Sequence, residues 1–264
     1  MCLIFAAYNM QPDYPLIVAA NRDEFYERPT QSLHRWDDQP DIYAGRDLKE
    51  GGTWMGVHRE GRFAAVTNFR SGHSTPAPLS RGNLVKDLLL TSSQKNFVTA
   101  TLSEKAQDYG GFNTLSYDGE ALIYCSNRAP DFHRVLPPGF YGLSNGLLNA
   151  EWPKVSQGLQ QFRSIIEANS LDASKDMNSL WELLANGEQA PDELLPDTGI
   201  DQHLERLLSS RFIRSPTYGT RASTILTWNK ERRIKILERN FNHEGVIGEK
   251  EEIIKLLPDG KNET

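Results

Sequence analysis

Apolar and polar positions divide the 264-residue chain into strand-like ends and a helical middle. Cys2-Leu-Ile-Phe-Ala-Ala-Tyr8 is an unbroken apolar run of strand length, the pattern of a strand buried on both faces. After a Pro-, Asn- and Asp-rich turn over 9–15, Leu16-Ile-Val-Ala-Ala20 repeats the pattern and delivers Asn21, Arg22, Asp23 and Glu24 at its end. Three hairpins follow from paired apolar runs around turn residues. They join Thr53–Val57 to Arg62–Thr67 across 58–61, Phe112–Tyr117 to Ala121–Cys125 across Asp118-Gly119, and Ala222–Trp228 to Arg233–Glu238 around Asn229-Lys230. A short strand begins at Phe140.

Between the strand runs the period changes to that of a helix. Ser80 is placed to cap a helix carrying Leu84, Val85, Leu88 and Leu89, and a helix from Trp152 to about Ala168 aligns Val155, Leu159, Phe162 and Ile166. Met177, Leu180, Trp181 and Leu184 form a third stripe, stopped by Asn186-Gly187. Such stripes are core faces. The Pro-, Asp- and Gly-rich stretch 188–199 reads as a loop and the tail from Pro258 as frayed. No repeat or linker interrupts the chain, so residues 1–264 read as one α+β domain, an antiparallel sheet stack covered by helices.

Composition narrows the partners. With 29 basic and 35 acidic residues the net charge is -6, and no basic face is left for nucleic acid or anionic lipid. Two cysteines, Cys2 and Cys125, make a disulfide framework implausible and point to a reducing compartment. The first apolar run lacks a basic leader and a cleavage site and is too short to span a bilayer, so no stable membrane insertion is expected. The localisation these features indicate is cytoplasmic. The six histidines are scattered, no His/Cys spacing suits zinc, and Gly51-Gly52 and Gly110-Gly111 lack phosphate-loop spacing. Neither a metal nor a cofactor is expected.

Position gives Cys2 its interest. Removal of Met1 would leave a thiol and a free α-amine, with a pKa near ~8, on one carbon: a nucleophile beside a base. The other polar residues that stand out also lie at strand ends, where side chains can converge over a sheet edge. A thiolate needs positive charge, which Arg22 or Arg221 could supply. An oxyanion needs donors, which Asn68 or Asn145 could supply. Asp23 or Glu24 could hold the amine and orient Arg22. Trp54, Phe63 and Phe69 could line the pocket. Cys125, within Leu122-Ile-Tyr-Cys125, reads as a packed strand residue.

Taken together, Met-Cys-Leu-Ile-Phe at the start, the segment from Ala20 to Pro29, Glu50-Gly-Gly-Thr-Trp-Met-Gly56, Ala64-Ala-Val-Thr-Asn68, Gly139-Phe-Tyr-Gly-Leu-Ser-Asn145 and Tyr218-Gly-Thr-Arg221 resemble the NRDE family, named in animals as transport and Golgi organisation protein 2. The resemblance implies the four-layer αββα arrangement of N-terminal-nucleophile hydrolases. It also links the chain to a family whose animal members are connected with lipid and acyl-CoA metabolism, mitochondria, secretory-pathway organisation and haem trafficking. More distantly, the chain is similar to penicillin V acylases and bile salt hydrolases, in which Cys2, Arg22, Asn68, Asn145 (with Trp152 after it) and Arg221 find counterparts in the same order. The acidic partner departs from that pattern. Those enzymes place it several residues after the arginine, whereas Asp23 and Glu24 follow Arg22 directly. Two functions are therefore carried forward: a cysteine amidohydrolase acting on a linear amide or related acyl donor, and a non-catalytic carrier of haem or an acyl ligand in the same pocket.

Overall fold

The computed structural model describes residues 2–72, 77–168 and 174–257. The expectations for Met1 and for the tail from Pro258 lie outside the described residues, as does His73. Among the described residues, thirteen strands form two antiparallel sheets. The six-stranded sheet contains β1 (Cys2–Gln11), β2 (Tyr14–Phe25), β10 (Gly139–Leu143), β11 (Tyr218–Trp228), β12 (Arg233–Phe241) and β13 (Val246–Lys255), in the order β10-β1-β2-β11-β12-β13. The seven-stranded sheet runs in sequence order from β3 (Thr30–Arg35) and β4 (Ile42–Asp47) through β5 (Met55–His58), β6 (Arg62–Asn68), β7 (Phe112–Tyr117) and β8 (Leu122–Ser126) to β9 (His133–Leu136).

Alternation along β1 and β2 builds two cores from one hydrophobic run. Ile4, Ala6, Tyr8, Leu16, Val18 and Ala20 face the other sheet and pack on Met55, Val57, Phe63 and Ala65. Leu3, Phe5, Ala7, Ile17 and Ala19 face outward onto α2 (Pro153–Ala168) and α3 (Ser174–Ala185), meeting Val155, Phe162, Ile166, Leu180 and Leu184. On the far side, Ala44, Ala64 and Val66 are covered by Leu84, Val85, Leu88 and Leu89 of α1 (Arg81–Leu90). The layers therefore run helix, sheet, sheet, helix, the αββα order expected. The buried apolar strands carry most of this stabilisation, at roughly 25 cal/mol per Å² of apolar surface.

Some local expectations change. β2 does not stop at Ala20 but continues through the polar segment to Phe25. Ser80 occupies the N-cap of α1, yet its side chain makes no capping bond; its carbonyl accepts from the Asn83 N–H at 3.0 Å. After α1, residues 94–108 form short helical turns that include a π-helical stretch, Phe97–Leu102. Gly51 has φ +73°, and a Cβ on Gly52 would run into the Gly82 backbone, so the glycine pair lets the 50–53 loop cross the start of α1. No helix of the described residues is long and apolar enough to cross a membrane.

Candidate active site

Strand register decides which side chains meet at the head of β1. Cys2 lies opposite Arg22, and Leu3 opposite Asn21. Directly opposed residues of an antiparallel pair project from the same face with Cβ atoms roughly 5 Å apart. Cys2 and Arg22 therefore extend the inter-sheet face of Ile4 and Ala20, while Asn21 and Asp23 extend the helix face of Ile17 and Ala19. The four consecutive polar residues of β2 thus serve two different compartments.

On the inter-sheet side, the two sheets part at this end and enclose a cleft of about 650 Å³. Its lining includes Cys2, Arg22, Trp54, Asn68, Phe69 and Arg81. The Arg22 guanidinium lies 4.3 Å from the Trp54 ring centroid, 3.6 Å from Asp47 Oδ2 and 3.4 Å from Thr30 Oγ1. Asp47 is itself fixed by Arg28 at 2.5 Å and by the Lys49 and Glu50 N–H groups. These contacts hold Arg22 flat against the indole beside Cys2. Asn68 ends β6 half-buried, and its side-chain amide has no hydrogen bond to another described residue, leaving an N–H donor in the cleft.

Cys2 is 9% exposed, and burial pushes its thiol pKa up; Asp23 adds to that rise while Arg22 opposes it. Arg22 does depress the thiol as expected, but desolvation is the larger effect and the net shift is upward. Cys125, fully buried in the core beneath α1, is pushed up to about 12 by burial.

On the helix side, Asp23 is 1% exposed and accepts the Thr220 hydroxyl proton at 2.7 Å. Burial raises its carboxyl pKa, with Lys154, the Thr220 bond and Arg22 acting in opposition. Asn21 donates to the carbonyls of Leu184 and Arg211 at 2.9 and 2.8 Å and accepts from Ser223 Oγ at 2.6 Å. It joins α3, the 211 segment and β11.

Three residues expected at the site take other places. Asn145 is buried, and its side-chain N–H donates to the Asn68 carbonyl at 2.8 Å, so it fixes the end of β6 instead of offering a donor to the cleft. Arg221 sits at the irregularity between Thr220 and Ala222, where β11 slips one residue against β2. Bulged out of the ladder, it donates to the carbonyls of Phe25 and Arg28 at 2.7 and 3.2 Å and is not part of the cleft wall. Phe63 is fully buried between the sheets, packed among core residues, and lines no part of the cleft. Trp54, Phe69, Arg22 and Asn68 do border the cleft with Cys2; Asp23 also touches it, although its carboxylate is bonded to Thr220 on the helix side.

Two cations escaped the sequence reading. Arg81, the first residue of α1, lines the cleft within electrostatic reach of Cys2 and donates to the Gly111 carbonyl at 3.2 Å. Lys154, in the first turn of α2, is 5% exposed. Both sit where a helix dipole disfavours positive charge, which is the signal that would have flagged them.

The fold and the site define a class: a two-sheet αββα protein with a cysteine at the head of a central strand, set beside an arginine at the floor of a polar cleft. The chain belongs to the Transport and Golgi organisation 2 family, whose pattern matches residues 1–243. It is 35% identical over 258 residues to the human Transport and Golgi organization protein 2 homolog, covering 91% of this chain and 93% of the relative. To Transport and Golgi organization protein 2 of Drosophila melanogaster it is 29% identical, covering 91% and 92%. Among solved structures it is similar to a Caenorhabditis elegans N-acylethanolamine-hydrolyzing acid amidase ortholog, with TM-score 0.44, 13% identity and coverage of 70% of this chain and 86% of that one. It is also similar to a mutant conjugated bile acid hydrolase from Clostridium perfringens, with TM-score 0.42, 10% identity and coverage of 99% and 100%.

Proposed function

We propose that the protein is an N-terminal-cysteine hydrolase acting on a linear amide or related acyl donor. One observation carries the reading: the β1–β2 register sets the Cys2 thiol and the Arg22 guanidinium on the same face, at the floor of a cleft large enough for a small acyl compound. After removal of Met1, the Cys2 α-amine takes the thiol proton and the thiolate attacks the acyl carbon. The Asn68 side-chain amide donates to the resulting oxyanion. Collapse breaks the C–N bond, the amine leaves with the proton, and water then cleaves the thioester to restore the thiol.

The proposal fixes a condition for activity. Because burial raises the thiol, positive charge beside it is required for Cys2 to become a competent nucleophile at neutral pH; Arg22 supplies it, and the α-amine, once it has taken the proton, adds to it. Two measurements test the scheme. Intact mass of the purified protein should equal residues 2–264; a mass that includes Met1 contradicts amine-assisted attack. A panel of N-acyl amino acids, acyl-CoA thioesters and haem, offered to wild type and to Cys2→Ser, should show turnover that falls by about 10³-fold or more in the variant. If no acyl compound is turned over by trimmed wild type while one ligand binds both forms equally, the pocket is a carrier site instead.

A further inference from the structure

Gly110-Gly111, the pair without phosphate-loop spacing, lies in the wall of the Cys2 cleft between two arginines that the chemistry above does not use, Arg81 and Arg128. Bonded neighbours connect this wall to the oxyanion donor. Asn68 pairs with Phe112 in the β6–β7 ladder, and the N–H of the next residue, Phe69, donates to the Gly111 carbonyl at 2.9 Å. The same carbonyl accepts from Arg81 Nη1 at 3.2 Å. A Cβ on Gly110 would stand 3.0 Å from Arg81 Nη1, and one on Gly111 would stand 3.4 Å from Arg128 Nε. Both guanidiniums therefore lie close against bare backbone, in room that only glycine leaves.

These two cations differ from their neighbours in having no counter-ion. Arg22 and Arg28 share Asp47. Among the described residues, neither Arg81 nor Arg128 forms an ion pair. Each uses one of its five N–H groups on a backbone carbonyl, Gly111 for Arg81 and Asn127, at 3.1 Å, for Arg128. Arg81 is half-buried, so its charge is disfavoured by desolvation and an arriving anion would relieve it.

The rest of the wall selects the anion. Four arginines and four carboxylates line the cleft, so its charges cancel overall. A polyanion such as a pyrophosphate would meet as many negative groups as positive ones, whereas one carboxylate between Arg81 and Arg128 meets planar donors that match it. In an N-acyl α-amino acid that carboxylate stands two bonds beyond the scissile nitrogen. With the acyl carbon at Cys2 and its oxygen at Asn68, the amine side of such a substrate runs along Phe69 toward Gly111.

We propose that Arg81 and Arg128 bind the carboxylate of an N-acyl amino acid whose amide bond is the one that Cys2 cuts. The proposal rests on the hydrolase reading for the bond broken, but not for the anion site, which selects carboxylate-bearing acyl amides over neutral ones whether or not they are turned over.

The test compares N-dodecanoylglycine with N-dodecanoylethanolamine, in which a hydroxymethyl group replaces the carboxylate at matched chain length. Calorimetry measures the binding of each to the full chain carrying Cys2→Ser, alone and combined with each arginine variant, and hydrolysis of each by trimmed wild type is followed in parallel. The glycine conjugate should bind about tenfold more tightly or better, and Arg81→Gln should bring the two ligands within about twofold of each other. Arg81→Lys keeps the charge but loses the fork, so it should retain part of the preference. Arg128→Gln, at an exposed position, should weaken the preference less than Arg81→Gln does, and it decides alone should Arg81→Gln not fold. Equal affinities before any arginine is changed, binding of neither ligand, or a preference that survives both arginine substitutions overturns the proposal. Dodecanoyl-CoA binding more tightly than the glycine conjugate, with its advantage lost in the same variants, makes the anion a phosphate and overturns it too. A carboxylate preference that disappears with the arginines, beside no hydrolysis by wild type, leaves the anion site standing and sinks the hydrolase reading. Hydrolysis of both amides with equal kcat/KM does the reverse.

Discussion

The two faces of β2 carry equally polar residues for opposite purposes. Toward the helices, Asn21 engages three partners through its amide and is 1% exposed, and Asp23 is equally enclosed. Toward the cleft, Arg22 is held by a ring face, a hydroxyl and a long ion pair to Asp47, contacts that fix its plane while leaving its charge directed at Cys2. Neighbours in sequence are thus separated by the thickness of a sheet. A polar tetrapeptide on a strand is two half-motifs, one holding layers together and one equipping a pocket, and a contrast of this kind can be broken residue by residue.

The largest effect should come from the structural face. Asn21→Ala leaves the buried Leu184 carbonyl, the part-buried Arg211 carbonyl and the Ser223 hydroxyl without their partner, at a cost of about 2–4 kcal/mol. Urea unfolding should show a lower midpoint with an unchanged slope, while the pH profile of Cys2 alkylation in the folded variant stays that of wild type. A shifted alkylation profile would erase the distinction between the faces.

How far the sequence revealed this arrangement follows from which signals survive in one dimension. β1, β2 and the three hairpins were legible because their runs are apolar through and through or broken by turn residues such as Gly61 and Gly119, both at φ +90°. β13 was not, since Val246-Ile-Gly-Glu-Lys-Glu-Glu-Ile-Ile-Lys255 lies at a sheet edge with most of its side chains exposed and its charges guarding that edge. At the site, Cys2, Arg22 and Asn68 were legible as strand-end polar residues. The displacement of Arg221 was not, because a single-residue bulge leaves no mark on composition. Phe63 failed for a different reason: alternation puts it on the face of Ala65, toward the core, and only the register of β6 shows that the cleft opens beyond it. Lys154 was hidden because a lysine in the first turn of an amphipathic helix ordinarily reads as solvated.

A smaller effect is expected on the cleft face. Arg22→Ala should slow Cys2 alkylation near pH 7 by about tenfold, the equivalent of ~1.4 kcal/mol, because it removes the cation beside the thiol. Its cost in stability should stay near ~1 kcal/mol, since Asp47 keeps Arg28 and two N–H donors. Arg22→Lys should recover most of the rate. Equal rates in all three proteins would reassign Arg22 to the structural half.

Asp23 sharpens the comparison through pH. Its folded pKa is raised, so the native state binds the Asp23 proton more tightly than the unfolded chain does. The stability this contributes is fully present below the unfolded value near ~3.9 and is lost as pH rises through the folded value. Asp23→Asn keeps an acceptor for Thr220 but cannot titrate, and it should flatten that part of the stability curve. Thermal melts of both proteins across acid pH measure the difference; parallel curves would mean that Asp23 does not titrate in that range.

The smallest effect belongs to Arg221, which the sequence ranked with Arg22 as a source of positive charge. Bulged out of β11, it donates to the Phe25 and Arg28 carbonyls and lies 5.9 Å from the Tyr26 ring centroid. These contacts brace the turn that carries β2 into β3. They are partly exposed, so Arg221→Ala should cost no more than about 1 kcal/mol. Its effect on the cleft should be smaller still, because the charge removed stands outside the cleft wall and the turn keeps the Arg28 N–H to Phe25 carbonyl bond at 3.1 Å. Cys2 alkylation in Arg221→Ala should therefore match wild type within about twofold across the pH range, against the tenfold loss expected for Arg22→Ala. If the two arginine variants instead slow alkylation alike, the cation that matters acts across the turn, and the register-based separation of cleft from scaffold fails at its weakest point.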